Sequence, residues 1–362
     1  MDRQLNSGTH SRAQTGTQMR SIGGMLSWLA LTLLLHSHPL QAQPSPAQLS
    51  PAQPSPAPAT AAASFPQRPL TLVVPFPPGG GTDTTARLLA KRLSDNLGQQ
   101  VLIDNKPGGG GVAGAVAVRN APADGHTLFI GHVGTHAIDI HLHSKLGYDP
   151  VADFTPISSF MSFLSLLVVP ANSPARNFAE LVALAKSKPG GLSYASPGNG
   201  TPMHLAMELF KQEAGVDLLH VPYKDQGGAL TDLMAGRTDA MMTVIFTVQN
   251  QIRSGKMRLV GTLTSERSST TPTTPTLREQ GVPGVNVQVW YALVAPAGLP
   301  STVQSRLNES INAALQRKDI REVFENQGLV PAGGSPERLG EWMRNELARW
   351  QKVVSSAGIK PD

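Results

Sequence analysis

Leu70-Thr71-Leu72-Val73-Val74-Pro75-Phe76-Pro77-Pro78-Gly79-Gly80-Gly81-Thr82-Asp83-Thr84-Thr85-Ala86-Arg87-Leu88-Leu89-Ala90 is the stretch on which the fold reading rests. An apolar run of strand length gives way to prolines and three glycines. Ala86, Leu89, Ala90, Leu93 and Leu97 then recur at helical spacing until Gly98 offers a left-handed cap. Thr82 or Asp83 is the expected N-cap. Glycine lets a ligand approach the main chain closely. The first turn of a helix holds N–H groups without intrahelical acceptors, at the positive end of the dipole. Such a turn suits an anion, although glycine-rich turns also serve as punctuation that binds nothing.

Working outward, short apolar runs keep alternating with amphipathic segments, the pattern of a parallel sheet covered by helices, so the class is α/β. Further strands are expected at 101–105, 127–130, 164–169, 192–195, 218–221, 240–244, 258–262 and 291–295. Val168-Val169-Pro170-Ala171-Asn172-Ser173-Pro174 and Val294-Ala295-Pro296-Ala297-Gly298-Leu299-Pro300 are near-echoes and read as hinges of a two-lobed body. Residues 65–169 and 289–362 form a discontinuous first lobe and 170–288 the second, with a cleft between them where small-molecule sites concentrate.

The N-terminus gives the expected destination. Arg3, Arg12 and Arg20 precede an apolar run, and small residues around Ala42 suit cleavage, so 1–42 reads as a secretory signal with Met1 or Met19 as its start. The run is short for a membrane span, which needs roughly 20 apolar residues. Residues 43–64, rich in proline and alanine, read as a solvated tether. The chain has no cysteine, which excludes disulfides, thiolate metal sites, a cysteine nucleophile and a lipidated N-terminal cysteine. The expected location is therefore periplasmic, without a lipid anchor. Net charge is +5, with three arginines against one aspartate in 1–42, and no basic cluster is interleaved with aromatics, so nucleic acid is not expected.

A second anion-friendly turn is Tyr194-Ala195-Ser196-Pro197-Gly198-Asn199-Gly200-Thr201-Pro202-Met203-His204. Thr201 is a well-formed N-cap, Pro202 takes the first helical position and His204 follows in the first turn. One helix start contributes roughly 0.3–2 kcal/mol toward a bound negative charge, so two facing one cleft can hold a carboxylate without an arginine clamp. Tyr223, at the end of a third apolar strand, offers a flat face with a hydroxyl at its tip. Catalytic sets are mostly missing: Ser196 does not sit in a G-x-S-x-G elbow, and Gly108 to Gly111 lack the lysine and hydroxyl of a P-loop. His132, His136, His141 and His143 read as loop histidines, and neither metal nor cofactor is expected. A non-catalytic binding protein fits this inventory best. An exported hydrolase or isomerase using His204 with Asp83 or Ser196, and a sensor subunit for a signalling partner, stay open.

Seven ordered segments resemble the Bug family, the extracytoplasmic solute receptors of tripartite tricarboxylate transporters. They are 75–83, Asn105-Lys106-Pro107-Gly108-Gly109-Gly110-Gly111, Ala123-Asp124-Gly125-His126-Thr127-Leu128, Asp149-Pro150-Val151-Ala152-Asp153-Phe154-Thr155-Pro156-Ile157, Tyr223-Lys224 with 229–233, 295–300 and 331–337. The resemblance implies a type II-like periplasmic binding protein fold with hinge strands and an interdomain cleft. It implies a monomer that closes on a small organic acid and delivers it to membrane transporter subunits. In that family backbone amides and waters hold the carboxylate. Carried onto this chain, the ligand-binding positions are Phe76, Pro78, Gly79, Thr82 and Asp83, then Ser196, Asn199, Gly200, Thr201 and His204, with Tyr223 and, on another loop, Thr135 and His136. Two departures stand out. Asp225 and Gly227 replace the usual glycine and proline after Tyr223-Lys224, and Thr243-Val244 stand where the family usually has aspartate and asparagine. Thr243 thus joins the ligand-binding set on a wall more apolar than usual, which points to a less polar or aromatic acid.

Overall fold

The computed structural model describes residues 65–359, so the expected signal and tether lie outside the described residues. Leu70–Val74 forms β1, a strand whose residues are nearly all buried, as befits the interior of a parallel sheet. The chain continues through α1 (Gly81–Leu97), β2 (Val101–Asn105), α2 (Val112–Arg119) and β3 (Thr127–His132). A π-helical turn at Gly134–Ile138 leads into α3 (Asp139–Leu142), and then come β4 (Phe154–Phe163) and β5 (Ser165–Pro170). Next are α4 (Phe178–Ser187), β6 (Ser193–Ser196), α5 (Pro202–Ala214), β7 (Leu219–Pro222), α6 (Gln226–Met234), β8 (Ala240–Val244), α7 (Ile245–Arg253) and β9 (Met257–Thr262). The last elements are β10 (Val289–Pro296), α8 (Ser301–Leu315), α9 (Lys318–Asn326), β11 (Leu329–Pro331) and α10 (Pro336–Ser356).

These strands make two sheets, β11-β4-β10-β3-β1-β2 and β7-β6-β8-β5-β9. In the first, β1 runs parallel to β2 and β3, with Leu70 opposite Val101 and Thr71 opposite Thr127, while β10 runs antiparallel to β3 and β4. In the second, β6 is parallel to β7 and β8, and β5 is antiparallel to β8 and β9. The apolar face of α1 is buried as its spacing predicts, and Gly98 closes the helix in the left-handed region with its amide on the Ser94 carbonyl. Each fully buried leucine on that face contributes about 2 kcal/mol.

The chain changes sheet at two places that lie side by side. Phe163, the last residue of β4, pairs with Val289, the first of β10, and Leu164 alone separates β4 from β5. Beside them the Gln288 side chain donates to Ser162 Oγ at 2.8 Å. The two proline echoes read as hinges are therefore exits within single sheets, from β5 toward α4 and from β10 toward α8. The strand expected at 164–169 is hydrogen-bonded in the second sheet, so the crossing precedes the boundary drawn at 169. One core cluster runs from Val73 and Phe129 on the first sheet through Met343 and Trp350 of α10 to Leu167 and Tyr194 on the second.

Candidate functional site

Most of the candidate residues lie at three strand-to-helix junctions: β1 to α1, β6 to α5 and β8 to α7. The first differs from expectation in its cap. Helix α1 begins at Gly81 with Gly80 as N-cap, and no side chain caps it. Thr82 and Asp83 therefore sit inside the first turn. Gly80 can take that place because it needs no side-chain oxygen when Asp83 reaches back instead. Buried Asp83 accepts from the Gly79 amide at 2.9 Å, from Arg87 Nε at 2.8 Å and from Asn105 Nδ2 at 2.9 Å. Burial pushes its carboxyl up, but the hydrogen bonds from Arg87, Gly79 and Asn105 outweigh that and hold it down at about 2. Asn105 also donates to the Phe76 carbonyl at 3.0 Å, so the turn is braced from β2. Asp83 is thus a brace for the turn, with both oxygens engaged.

What the brace leaves open is main chain. Pro77 and Pro78 have no donor and the Gly79 amide is spent on Asp83. Helix geometry leaves the amides of Gly81 and Thr82 without intrahelical acceptors, next to exposed Gly79 and Gly80. Aromatic rings flank them. Phe76 lies 5.3 Å from His132 and 5.9 Å from Tyr291 between ring centres. The Tyr291 hydroxyl is hydrogen-bonded to Thr82, and burial pushes it up to about 12.

Thr201 caps α5 as expected, its hydroxyl accepting from the His204 amide at 3.4 Å and donating to the Gly198 carbonyl at 2.8 Å. This junction engages the Gly198, Gly200, Thr201 and His204 amides itself. The Gly200 amide donates to His204 Nδ1 at 3.0 Å and the Gly198 amide to Ser196 Oγ at 3.2 Å. Ser196, fully buried, meets His220 Nε2 at 2.6 Å rather than His204. His220 stacks between Tyr194 at 4.7 Å and His204 at 4.0 Å. Burial, with His204 next to it, lowers His220 to about 4, and burial also lowers His204. Asn199 is exposed in the loop. Tyr223 turns its hydroxyl onto Asp232 at 2.7 Å, and its main chain ties to Ser196 through a 3.0 Å bond.

Thr135 and His136 lie in the π-helical turn and are fully buried. The Thr135 hydroxyl bonds the His132 main chain and His136 Nδ1 at 2.9 Å, and the His136 ring packs on Phe129 and Phe154. Burial lowers His136 to about 3, and His132, whose Nε2 meets the Gly110 carbonyl at 3.0 Å, to about 4. These are packed supports behind the first turn, where the sequence reading expects loop histidines. Among the described residues no cluster of three His, Asp or Glu can hold a metal.

The third junction supplies a residue the sequence reading misses. Thr243 is buried, its hydroxyl shared by Gln226 Nε2 at 2.7 Å and Thr247 Oγ1 at 2.8 Å. The next three residues lean on the first sheet's elements. Val244 packs on the core around Leu72 and Leu293, Ile245 meets Gly328, and the Phe246 ring lies against Gly81, where an added Cβ would fall 2.9 Å from Cζ. Gly200 is met in turn by Leu142 of α3. Both glycine turns therefore border the boundary between the sheets. The signal for Phe246 was its place as the second residue of the helix that follows a parallel strand, the position Thr82 and Met203 hold at the other two junctions. Tyr291 also borders a cavity of about 400 Å³ lined by Ser159, Gln288, Val330 and Trp342, which contains no residue of either glycine turn.

The family model for the tripartite tricarboxylate transporter family receptor matches residues 85–359. The chain belongs to that receptor family. It is 40% identical to a UPF0065 protein of the tcbD-tcbE intergenic region of Pseudomonas sp. (strain P51), over 80% of this chain and 87% of that one. It is 36% identical to Protein BugT of Bordetella pertussis, over 83% and 92%. Among solved structures, an R. palustris protein with adipate superposes with a TM-score of 0.73 at 37% identity, covering 82% of this chain and all of that one. MatC from Rhodopseudomonas palustris with bound malate gives 0.69 at 35%, covering 80% and 100%. The fold is that of the periplasmic binding proteins, and the chain is a solute receptor of the Bug type. No helix among the described residues is long and apolar enough to cross a membrane.

Proposed function

We propose that this receptor captures a small organic acid between its two sheets and hands it, unchanged, to membrane transporter subunits. The carboxylate sits on the main-chain amides at the start of α1. The remaining positions named from the sequence, Phe76, Pro78, Gly79 and Thr82 on one side and Asn199, Gly200 and Thr201 on the other, line the enclosure, while Asp83, Thr135, His136, Ser196, His204, Tyr223 and Thr243 hold those linings in place. Residues 1–42 direct export to the periplasm, residues 65–163 and 289–359 form one lobe and 165–288 the other, and the protein acts as a monomer. The observation that carries this reading is the α1 start, where no side chain caps the helix, the Gly81 and Thr82 amides have no intrahelical acceptors, and Gly81 packs against the Phe246 ring from the opposite sheet. The adipate and malate held by two relatives agree in chemistry.

Catalysis by His204 with Ser196 or Asp83 is disfavoured by the same geometry. His204 Nδ1 is taken by the Gly200 amide, Ser196 is buried against His220, and three donors occupy Asp83. Native mass spectrometry of freshly purified protein tests the proposal: a retained acid, released intact on denaturation, is expected. Turnover of esters or organic acids by the purified protein would contradict it.

A further inference from the structure

We infer that the acid taken at this site is a monocarboxylate with a ring-sized apolar body, an inference that rests on the receptor reading above. The wall contributed by the second sheet is 243–248, Thr-Val-Ile-Phe-Thr-Val, and it carries no charge. Its one buried hydroxyl, on Thr243, already has Gln226 and Thr247 as partners. A second carboxylate, or an ammonium group, enclosed against that wall would find no counter-charge there. Enclosing such a group without a partner is costly. At the first turn the only carboxylate side chain, Asp83, is itself engaged by Arg87, Asn105 and Gly79 and is not free to pair with a ligand cation.

Rings gather where the ligand body has to go. Phe76 and Tyr291 meet nearly at right angles, 79° between planes, beside the helix start. Phe246 brings a third ring from the opposite sheet onto Gly81. It is 37% exposed, the most exposed residue of the 243–248 wall, although its neighbours Ile245 and Val248 are buried. Phe246 is thus neither core nor ordinary surface, and an aromatic body placed edge-on to it regains a packed contact. A site with a few fixed polar groups at one end and apolar walls elsewhere selects by body as well as by charge.

The test is isothermal titration calorimetry of the full chain with benzoate, phenylacetate, malate and adipate, repeated with Phe246→Ala. Phenylacetate or benzoate is expected to bind at least about tenfold more tightly than malate and adipate. Phe246→Ala is expected to weaken the ring acids by about fivefold or more while leaving malate and adipate within about twofold. Malate or adipate binding as tightly as the ring acids would overturn the inference and leave the receptor reading standing. So would a Phe246→Ala effect equal for all four. If none of the four acids binds, this inference is overturned, while the receptor reading is decided separately by the acid retained in native mass spectrometry.

Discussion

The starts of α1 and α5 share a glycine-rich approach from a parallel strand, yet they are finished in opposite ways. At α5 the turn closes on itself: Thr201 takes the His204 amide, His204 takes the Gly200 amide and Ser196 takes the Gly198 amide. At α1 no side chain caps the helix, and the one acid in the first turn is spent on Gly79, Arg87 and Asn105. Equal-looking turns thus divide into an open one suited to an anion and a sealed one suited to form. Three glycines do not make that difference. It comes from which side chain lies within reach of the amides.

Acid gives the largest effect, and it reaches the supports of both turns. Burial holds His132 and His220 at about 4 and His136 at about 3, against an ordinary 6.5. Below about 6.5 the unfolded chain therefore takes up protons that the folded one refuses, and stability falls as pH drops toward 4. Asp139, raised to about 6 by burial, works in the opposite sense between about 3.8 and 6, but it is one group against three. Urea melts at pH 7 and pH 4.5 are expected to show a loss on the order of a few kcal/mol. An unchanged midpoint would mean that these imidazoles are not held neutral.

Asp83→Ala comes next, because it strands three donors around the open turn. We expect a loss of about 3 kcal/mol in chemical denaturation together with loss of ligand binding. Gly200→Ala probes the sealed turn. Gly200 has φ +72°, and its new Cβ would fall 2.5 Å from Leu142, so about 2 kcal/mol of stability is expected to go. Gly81→Ala pushes a methyl toward Phe246, and an affinity loss of about tenfold is expected with little change in Tm, since an exposed ring can swing aside. The smallest effect belongs to Thr201→Val, which removes the α5 cap at about 1 kcal/mol and changes affinity by less than about threefold. If Thr201→Val abolished binding while Gly81→Ala did not, the two turns would have to exchange roles.

Much of the architecture was legible because it rests on periodicity. The α1 face, its Gly98 cap, the Thr201-Pro202 helix start and the alternation of strands and helices all follow from local rules. Strand β4 escaped because Phe154-Thr155-Pro156-Ile157-Ser158-Ser159 does not read as a strand. Pro156 is accommodated where β10 shifts register between Leu293 and Val294, and the Pro156 carbonyl is taken by Gln304. The proline echoes mark the ends of β5 and β10, while the passages from sheet to sheet at 163–165 and 287–289 are set by pairing between distant strands, which no local pattern shows. In the candidate site, the glycine turns were visible but their difference was not. Asn105, His220 and Phe246 lie 22, 24 and 165 residues from Asp83, Ser196 and Gly81, the residues they engage, and no local pattern joins them.

The most direct test of the open-turn claim is a titration of the 15N-labelled protein with a bound carboxylate, followed through its backbone amide signals. Gly80, Gly81 and Thr82 are expected to move most, in parallel with saturation, and Gly198 and Gly200 clearly less. Saturating shifts confined to Gly198–Thr201, with the α1 start unmoved, would contradict it.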